Sequence, residues 1–149
     1  MSLSQLINQQ TDRLRQLHEV LQQELQTLSD GQVDGQALSN FASQKSVLIK
    51  KLEQAETVRR QGQQKLGYGE GMSGARQAAR DAGCEKDWEH YLAATERTAR
   101  LNDLVGSVLN MRAAHNQQML NIIHQVAEKT LYDPKGRKAN QPGRLNTSA

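Results

Sequence analysis

The sequence is poor in the residues that build sheets, aromatic pockets and disulfide frameworks. Only 3% of its 149 residues are aromatic, it contains a single cysteine, and its leucines outnumber valine and isoleucine combined. Its two prolines, Pro134 and Pro142, both lie near the C-terminus, so residues 1–133 contain no proline to break a helix. Because sheets rely on β-branched and aromatic side chains, this composition excludes a sheet or barrel and favours an all-α protein.

The charge of the chain is concentrated at its C-terminus. The formal net charge is +3, and residues 132–149 contain four cations and one anion. Residues 1–131 are therefore formally neutral, which leaves no basic footprint for nucleic acid. The lone Cys84 cannot form an internal disulfide, and no segment resembles a signal peptide or a membrane span. The sequence thus predicts a cytosolic chain that neither binds nucleic acid nor inserts into a membrane.

Apolar residues spaced three and four apart predict two long helices in the first part of the chain. The first covers residues 3–29 and follows a capping box formed by Ser2 and Gln5. Its apolar stripe contains Gln10 as the only polar member. The second helix begins after Asp34, which is suited to be its N-cap.

Beyond Ala55 the apolar pattern of the second helix fades, which predicts a solvated and frayed end. The segment 67–74 follows, with four glycines in eight residues. It formally matches G-x-G-x-x-G, but a polar helix precedes it where a dinucleotide site needs a buried strand. We therefore predict a flexible loop there, followed by a short alanine-rich helix at about residues 73–82.

The last helix is predicted to run unbroken from Glu85 to Leu131. Residues 132–149 are rich in Pro, Gly, Lys and Asn and have almost no apolar side chains, which is typical of a flexible tail. The predicted fold is an elongated antiparallel bundle of three long helices and one short helix. It forms one domain over residues 1–131, followed by a flexible basic tail over residues 132–149.

Two apolar stripes run along this last helix, about 100° apart around its circumference. The first stripe contains Leu101, Leu104, Val108, Met111, His115, Met119, Ile122 and Val126. The second stripe contains Val105, Leu109, Ala113, Asn116, Leu120, Ile123, Ala127 and Leu131. One stripe can pack on the first two helices, which leaves the other as a surface for a partner helix. Internal packing of both stripes and a homodimer stay open as alternatives.

No catalytic or metal-binding arrangement is predicted. The histidines lack metal-ligand spacing, so no metal, cofactor or enzymatic activity is expected. His90 and His115 keep a histidine phosphotransfer bundle open as an alternative function. Cys84 lies near a predicted helix N-terminus, which is expected to lower its pKa, but no histidine partner is in view.

Short motifs along the chain point to one family. They are Lys45-Ser46-Val47-Leu48-Ile49 with Leu52, Trp88 at the start of the last helix, Leu101-Asn102 with Gly106 and Leu109, Asn116 with Leu120, and Leu131-Tyr132-Asp133-Pro134-Lys135-Gly136. They resemble motifs of the FlgN family of flagellar type III export chaperones. The first resembles the family's K-x-x-L-L-x-x-L run, and the second its tryptophan at the start of the long helix. The third and fourth resemble L-N-x-x-N-G-x-L-L and N-x-x-x-L, and the last resembles the final L-Y-x-x-x-G. Val105 departs from the pattern, because it stands in place of the second asparagine of N-x-x-N-G.

The resemblance implies a chaperone that binds the C-terminal helical ends of the hook-associated proteins FlgK and FlgL. Such a chaperone keeps those proteins unpolymerised and delivers them to the export gate protein FlhA. By the same resemblance, the substrate-binding residues are Leu101, Val105, Leu109, Asn116, Leu120 and Ile123. The export gate would contact Leu131, Tyr132 and Gly136. A coiled-coil adaptor or regulator with a different partner is the main alternative.

Overall fold

The structure, a computed structural model, describes residues 1–131, with side chains described through Glu128. This part of the chain folds into four helices and contains no strand: α1 (Leu3–Ser29), α2 (Gly35–Lys65), α3 (Met72–Asp81) and α4 (Glu85–Leu131). The prediction of an all-α chain with three long helices and one short helix is confirmed. The predicted tail, residues 132–149, lies outside the described residues.

The helix ends are set by the predicted local chemistry. The Ser2 hydroxyl accepts a hydrogen bond from the N–H of Gln5, whose side chain accepts one from the N–H of Ser2, so the capping box is present. The Asp34 carboxylate accepts from the N–H groups two and three residues further on and starts α2. Between α3 and α4, Gly83 has a φ of +72°, which favours glycine and ends α3.

The chain divides into two units, the first covering Met1–Val108 and the second beginning at Leu109. In the first unit α1 and α2 pack side by side and run antiparallel. Arg13, in the first half of α1, donates to the carbonyl oxygen of Lys51 at 3.5 Å, whereas Glu24 further along α1 pairs with Lys45, earlier in α2. These two contacts fix the register of the pair.

The first part of α4 runs in the same direction as α1 and therefore antiparallel to α2. At its start, the Ser4 hydroxyl donates to the Asp87 carboxylate at 2.9 Å. Further along, α1 residues between Thr11 and Gln22 line the same cavity as α4 residues between Ala94 and Thr98. The three long helices of this unit thus alternate in direction, which confirms the predicted antiparallel bundle.

A core cluster joins α1, α3 and the start of α4. Its members are Ile7, Ala75, Ala79, Cys84 and Trp88, with Leu3, Tyr91 and Leu92 packed against it. The alanines leave room for the Trp88 ring, which is 2% exposed and lies 5.4 Å from the Tyr91 ring. Burial, together with the charge of Asp87, raises the pKa of the Cys84 thiol. The expectation of a lowered pKa for this thiol is therefore wrong, because the side chain is enclosed by the core.

The C-terminal end of α2 is packed where the sequence predicts fraying. The Arg59 guanidinium lies 4.9 Å from the centroid of the Trp88 ring, in cation–π geometry. Arg59 also pairs with Glu56 at 2.6 Å and donates to the Gln63 amide oxygen at 2.8 Å. The prediction failed because this end of α2 packs through polar side chains, which leave no apolar period in the sequence.

The glycine-rich segment between α2 and α3 is held against the end of α2. The Gln63 amide donates to the carbonyl oxygens of Gly69 at 2.5 Å and Gly71 at 3.3 Å. A Cβ at Gly74 would lie 1.7 Å from the Gly69 carbonyl oxygen, so this position has no room for a side chain. The segment is a loop, as predicted, but it is anchored rather than flexible. The last glycine of the G-x-G-x-x-G match is thus required for close backbone packing.

The buried stripe of α1 contains a second polar residue besides Gln10. Glu24 is 3% exposed, and the Lys45 ammonium lies 2.8 Å from one of its carboxylate oxygens and donates to the other at 3.0 Å. Because Lys45 lies on α2 and both side chains are largely covered, the ion pair is enclosed between the two helices. The prediction that Gln10 is the only polar member of the stripe is wrong, because a cation from the facing helix makes burial of Glu24 acceptable.

Candidate partner-binding surface

The exposure of α4 changes along its length. In the first unit it buries Trp88, Ala94, Thr98 and Val105. From Leu109 to Glu128, in the second unit, none of its described side chains is buried. No helix among the described residues, this long one included, is apolar enough over a sufficient length to span a membrane.

Five apolar side chains of the second unit form one exposed surface, which we call the α4 apolar face. Its members are Met111, Met119, Ile122, Ile123 and Val126. Between 45% and 68% of each residue is exposed. At about 100° per residue the five lie within about 120° of the helix circumference. A stripe of this width is typical of a helix that packs against another element, and α4 is the only element described in its unit.

The buried arc of the first part of α4 explains which stripe is left exposed. Tyr91, Ala94, Thr98 and Val105 follow one another at helical spacing and lie in phase with the second stripe. Val105 is accordingly 1% exposed, whereas Leu104, on the first stripe, is 48% exposed. The bundle thus covers the second stripe at Val105, whereas Leu104 of the first stripe remains exposed.

Two predicted substrate-binding residues lie in the first unit. Leu101 is half-buried, and Val105 is part of the packed interior. A side chain that is 1% exposed offers no surface to a partner, so the place of Val105 in the predicted binding set is corrected. Its valine fits this interior better than the asparagine of the family pattern, whose amide would need a buried hydrogen-bond partner.

The other predicted substrate-binding residues are at least partly accessible. Ile123 belongs to the α4 apolar face, and Asn116 is exposed at its edge. Leu109 and Leu120 are half-buried. Sequence reasoning missed the other four members of the face, because it left open which stripe packs internally. The sequence does indicate which side of α4 is covered, because Tyr91, Ala94 and Thr98 have the same helical phase as the second stripe. These residues are small or aromatic, and both apolar stripes were traced only from Leu101 onward.

The other residues singled out from the sequence are the three predicted contacts with the export gate and two histidines. Leu131 is the last residue of α4, and Tyr132 and Gly136 lie outside the described residues. His90 and His115 are both exposed. His115 lies within the arc of the α4 apolar face and interrupts this exposed surface.

The polar residues around the α4 apolar face are mainly amides. Residues 109–128 contain six Asn or Gln side chains and only two charged ones, Arg112 and Glu128. Residues 85–108 of the same helix contain eight charged side chains. On the side opposite the face, Gln117 donates to the Asn121 side chain at 3.1 Å. This arrangement provides apolar contact area and uncharged hydrogen-bonding groups, which suits protein binding.

Similarity to known proteins extends over nearly the whole chain. The family described as FlgN protein matches residues 1–140. The chain is 33% identical over 138 residues to the flagella synthesis protein FlgN of Salmonella typhimurium. The aligned region covers 91% of this chain and 89% of that protein. The chain is also 27% identical over 135 residues to the protein of the same name from Escherichia coli, covering 91% and 88% of the two chains. No solved structure gives a significant match.

Proposed function

This chain belongs to the FlgN family, and from that membership we propose that its role in flagellar assembly is that of a cytosolic export chaperone. It binds the C-terminal helical ends of FlgK and FlgL, prevents their premature assembly and delivers them to the type III export gate protein FlhA. Binding and release accomplish this, without a catalytic step.

The α4 apolar face is the observation that carries the proposal. Met119, Ile122, Ile123 and Val126 stand at positions i, i+3, i+4 and i+7 of one helix, the pattern by which helices dock against each other. All four are at least 45% exposed, and covering each of them contributes roughly 1 kcal/mol of hydrophobic free energy. An amphipathic helical end of a substrate would gain the same burial on its own side, which keeps it from self-assembly while it is bound.

We place the contact with the export gate at the end of α4, at Leu131, Tyr132 and Gly136. These residues follow the α4 apolar face in the sequence and do not belong to it. An aromatic side chain next to a helix end can anchor in a pocket of a partner. This separation would let the chaperone hold its substrate and contact the gate at the same time.

Ile122→Asp is expected to weaken binding of the FlgK and FlgL C-terminal segments at least 100-fold. The aspartate would place a charge in the centre of a contact that must be dehydrated. Because Ile122 is 53% exposed, helicity and the midpoint of thermal unfolding should stay near those of the wild type. Calorimetric titration measures the affinity, and circular dichroism measures the fold.

Two control variants sharpen this test. Val47→Asp places the same charge at a similarly exposed position of α2 (55%) and should leave the affinity unchanged. Tyr132→Ala should also keep the segment affinity but weaken the contact with FlhA. Undiminished binding by Ile122→Asp would contradict the proposal, and equal loss of both contacts in Tyr132→Ala would refute the division of roles. A dimer in sedimentation that Ile122→Asp dissociates would assign the face to a second copy of the chain.

A further inference from the structure

The edges of the α4 apolar face are uncharged on both sides. At about 100° per residue, Asn116 lies beside Ile123 on one edge, and Gln118 and Gln125 lie beside Ile122 on the other. All three amides are exposed. A partner helix that covers the face must therefore place its own flanking residues against amide side chains.

Arg112, next to Met111, lies within the arc of the α4 apolar face at its N-terminal end. The four helical turns that follow hold the other four members, and no charged residue interrupts the face there. Residues 113–127 contain no Asp, Glu, Lys or Arg. Arg112 precedes this stretch, is half-buried and already takes part in an interaction within the molecule. Glu128 follows it. The whole formal surplus of positive charge lies in residues 132–149, so the high isoelectric point of about 9.2 is not a property of the face.

The chemistry of these edges selects between kinds of partner helix. An acidic or basic residue of the partner would lose water against the amides without gaining an ion pair, which costs free energy. An amide or hydroxyl group would exchange its water for hydrogen bonds, because Asn and Gln both donate and accept.

We infer that the segment bound by the α4 apolar face is a helix whose apolar stripe is edged by amide and hydroxyl side chains, and that charge attraction contributes nothing to its binding. This inference rests on the proposed function and deepens it by naming the chemical class of the bound segment. It runs against the expectation that a chain with a net charge of +3 selects acidic partners.

Two synthetic helical peptides test the inference on the full-length chain. They share apolar residues at positions i, i+3, i+4 and i+7, and the residues that flank this stripe are Gln in one peptide and Glu in the other. Calorimetric titration in 0.05 M and 0.5 M NaCl measures the affinity of each peptide for the wild-type chain and for Ile122→Asp. The affinity that is lost in the variant is the contribution of the α4 apolar face, and this contribution is compared between the peptides. We expect the Gln peptide to bind at least tenfold tighter than the Glu peptide. Its Kd should change less than twofold between the two salt concentrations.

Edge variants provide the matched comparison. Gln118→Lys with Gln125→Lys should bring the Glu peptide to at least the affinity of the Gln peptide, and 0.5 M salt should remove this gain. Gln117→Lys with Asn121→Lys adds the same charges on the opposite side and should leave the preference unchanged.

The inference is overturned if the Glu peptide binds the wild-type chain as tightly as the Gln peptide. It is also overturned if the affinity of the Gln peptide falls fivefold or more at high salt, or if neither peptide binds. Failure of the proposed function looks different. In that case the FlgK and FlgL segments do not bind, whereas the peptides still show the preference for uncharged edges.

Discussion

Val105→Asp is expected to lower the free energy of unfolding by about 4 kcal/mol, enough to unfold much of the first unit. Val105 is 1% exposed, so an aspartate there must either bury a charge or force α4 away from the bundle. Both routes remove the packing that holds the first part of α4. Thermal unfolding followed by circular dichroism would show a large drop in the midpoint.

The neighbouring residue supplies the control for this prediction. Leu104 is 48% exposed, and Leu104→Asp should change the free energy of unfolding by no more than about 0.5 kcal/mol. Equal effects of the two variants would mean that α4 does not pack through the arc that contains Val105. The difference in stability between the two variants thus shows which side of α4 faces the bundle.

Lys45→Ala is expected to cost about 3 kcal/mol of stability, although lysine is usually a surface residue. The substitution removes the cation that lies 2.8 Å from the Glu24 carboxylate, while that carboxylate remains enclosed between α1 and α2. Replacing both partners, Glu24→Leu with Lys45→Leu, should restore most of the stability, because no buried charge then remains. Urea unfolding gives the free energies of all three proteins.

An exposed ion pair shows the contrast. Arg15 and Asp12 pair at 3.0 Å with about two thirds of each side chain exposed, and Arg15→Ala should leave the unfolding curve nearly unchanged. If Lys45→Ala behaved like Arg15→Ala, water would be reaching Glu24. The burial described for this pair would then be wrong.

The helices could be predicted from the sequence because their ends depend on nearby residues. The Ser2 capping box and the Asp34 N-cap each act within four residues. The positive φ of Gly83 depends only on this residue having no Cβ. The polar contacts of the bundle could not be predicted in the same way. Glu24 needs a lysine 21 residues away, and Arg59 needs the ring of Trp88 on another helix. Such pairs depend on the tertiary arrangement and leave no periodic pattern.

The candidate surface was only partly predictable for a related reason. The two stripes of α4 have the same spacing, so apolar periodicity identifies a helix with two faces but not the face that is covered. Of the residues predicted to bind substrate, Ile123 and Asn116 are exposed, whereas Val105 is buried. The choice depends on how α4 is rotated against α1, which its contacts at Asp87 and Trp88 determine.

Trp88 gives this protein an intrinsic fluorescence reporter of the first unit alone. It is the only tryptophan, and its ring is buried in the core cluster. The amide ellipticity at 222 nm, by contrast, also counts the turns of α4 beyond Val108, where no described side chain is buried and where a helix is of marginal stability by itself. On heating, we expect the ellipticity to begin to fall before the Trp88 emission shifts, so that the two probes give non-coincident transitions. A segment bound to the α4 apolar face should close the gap between them, which would turn a label-free melting experiment into an assay for the proposed chaperone function.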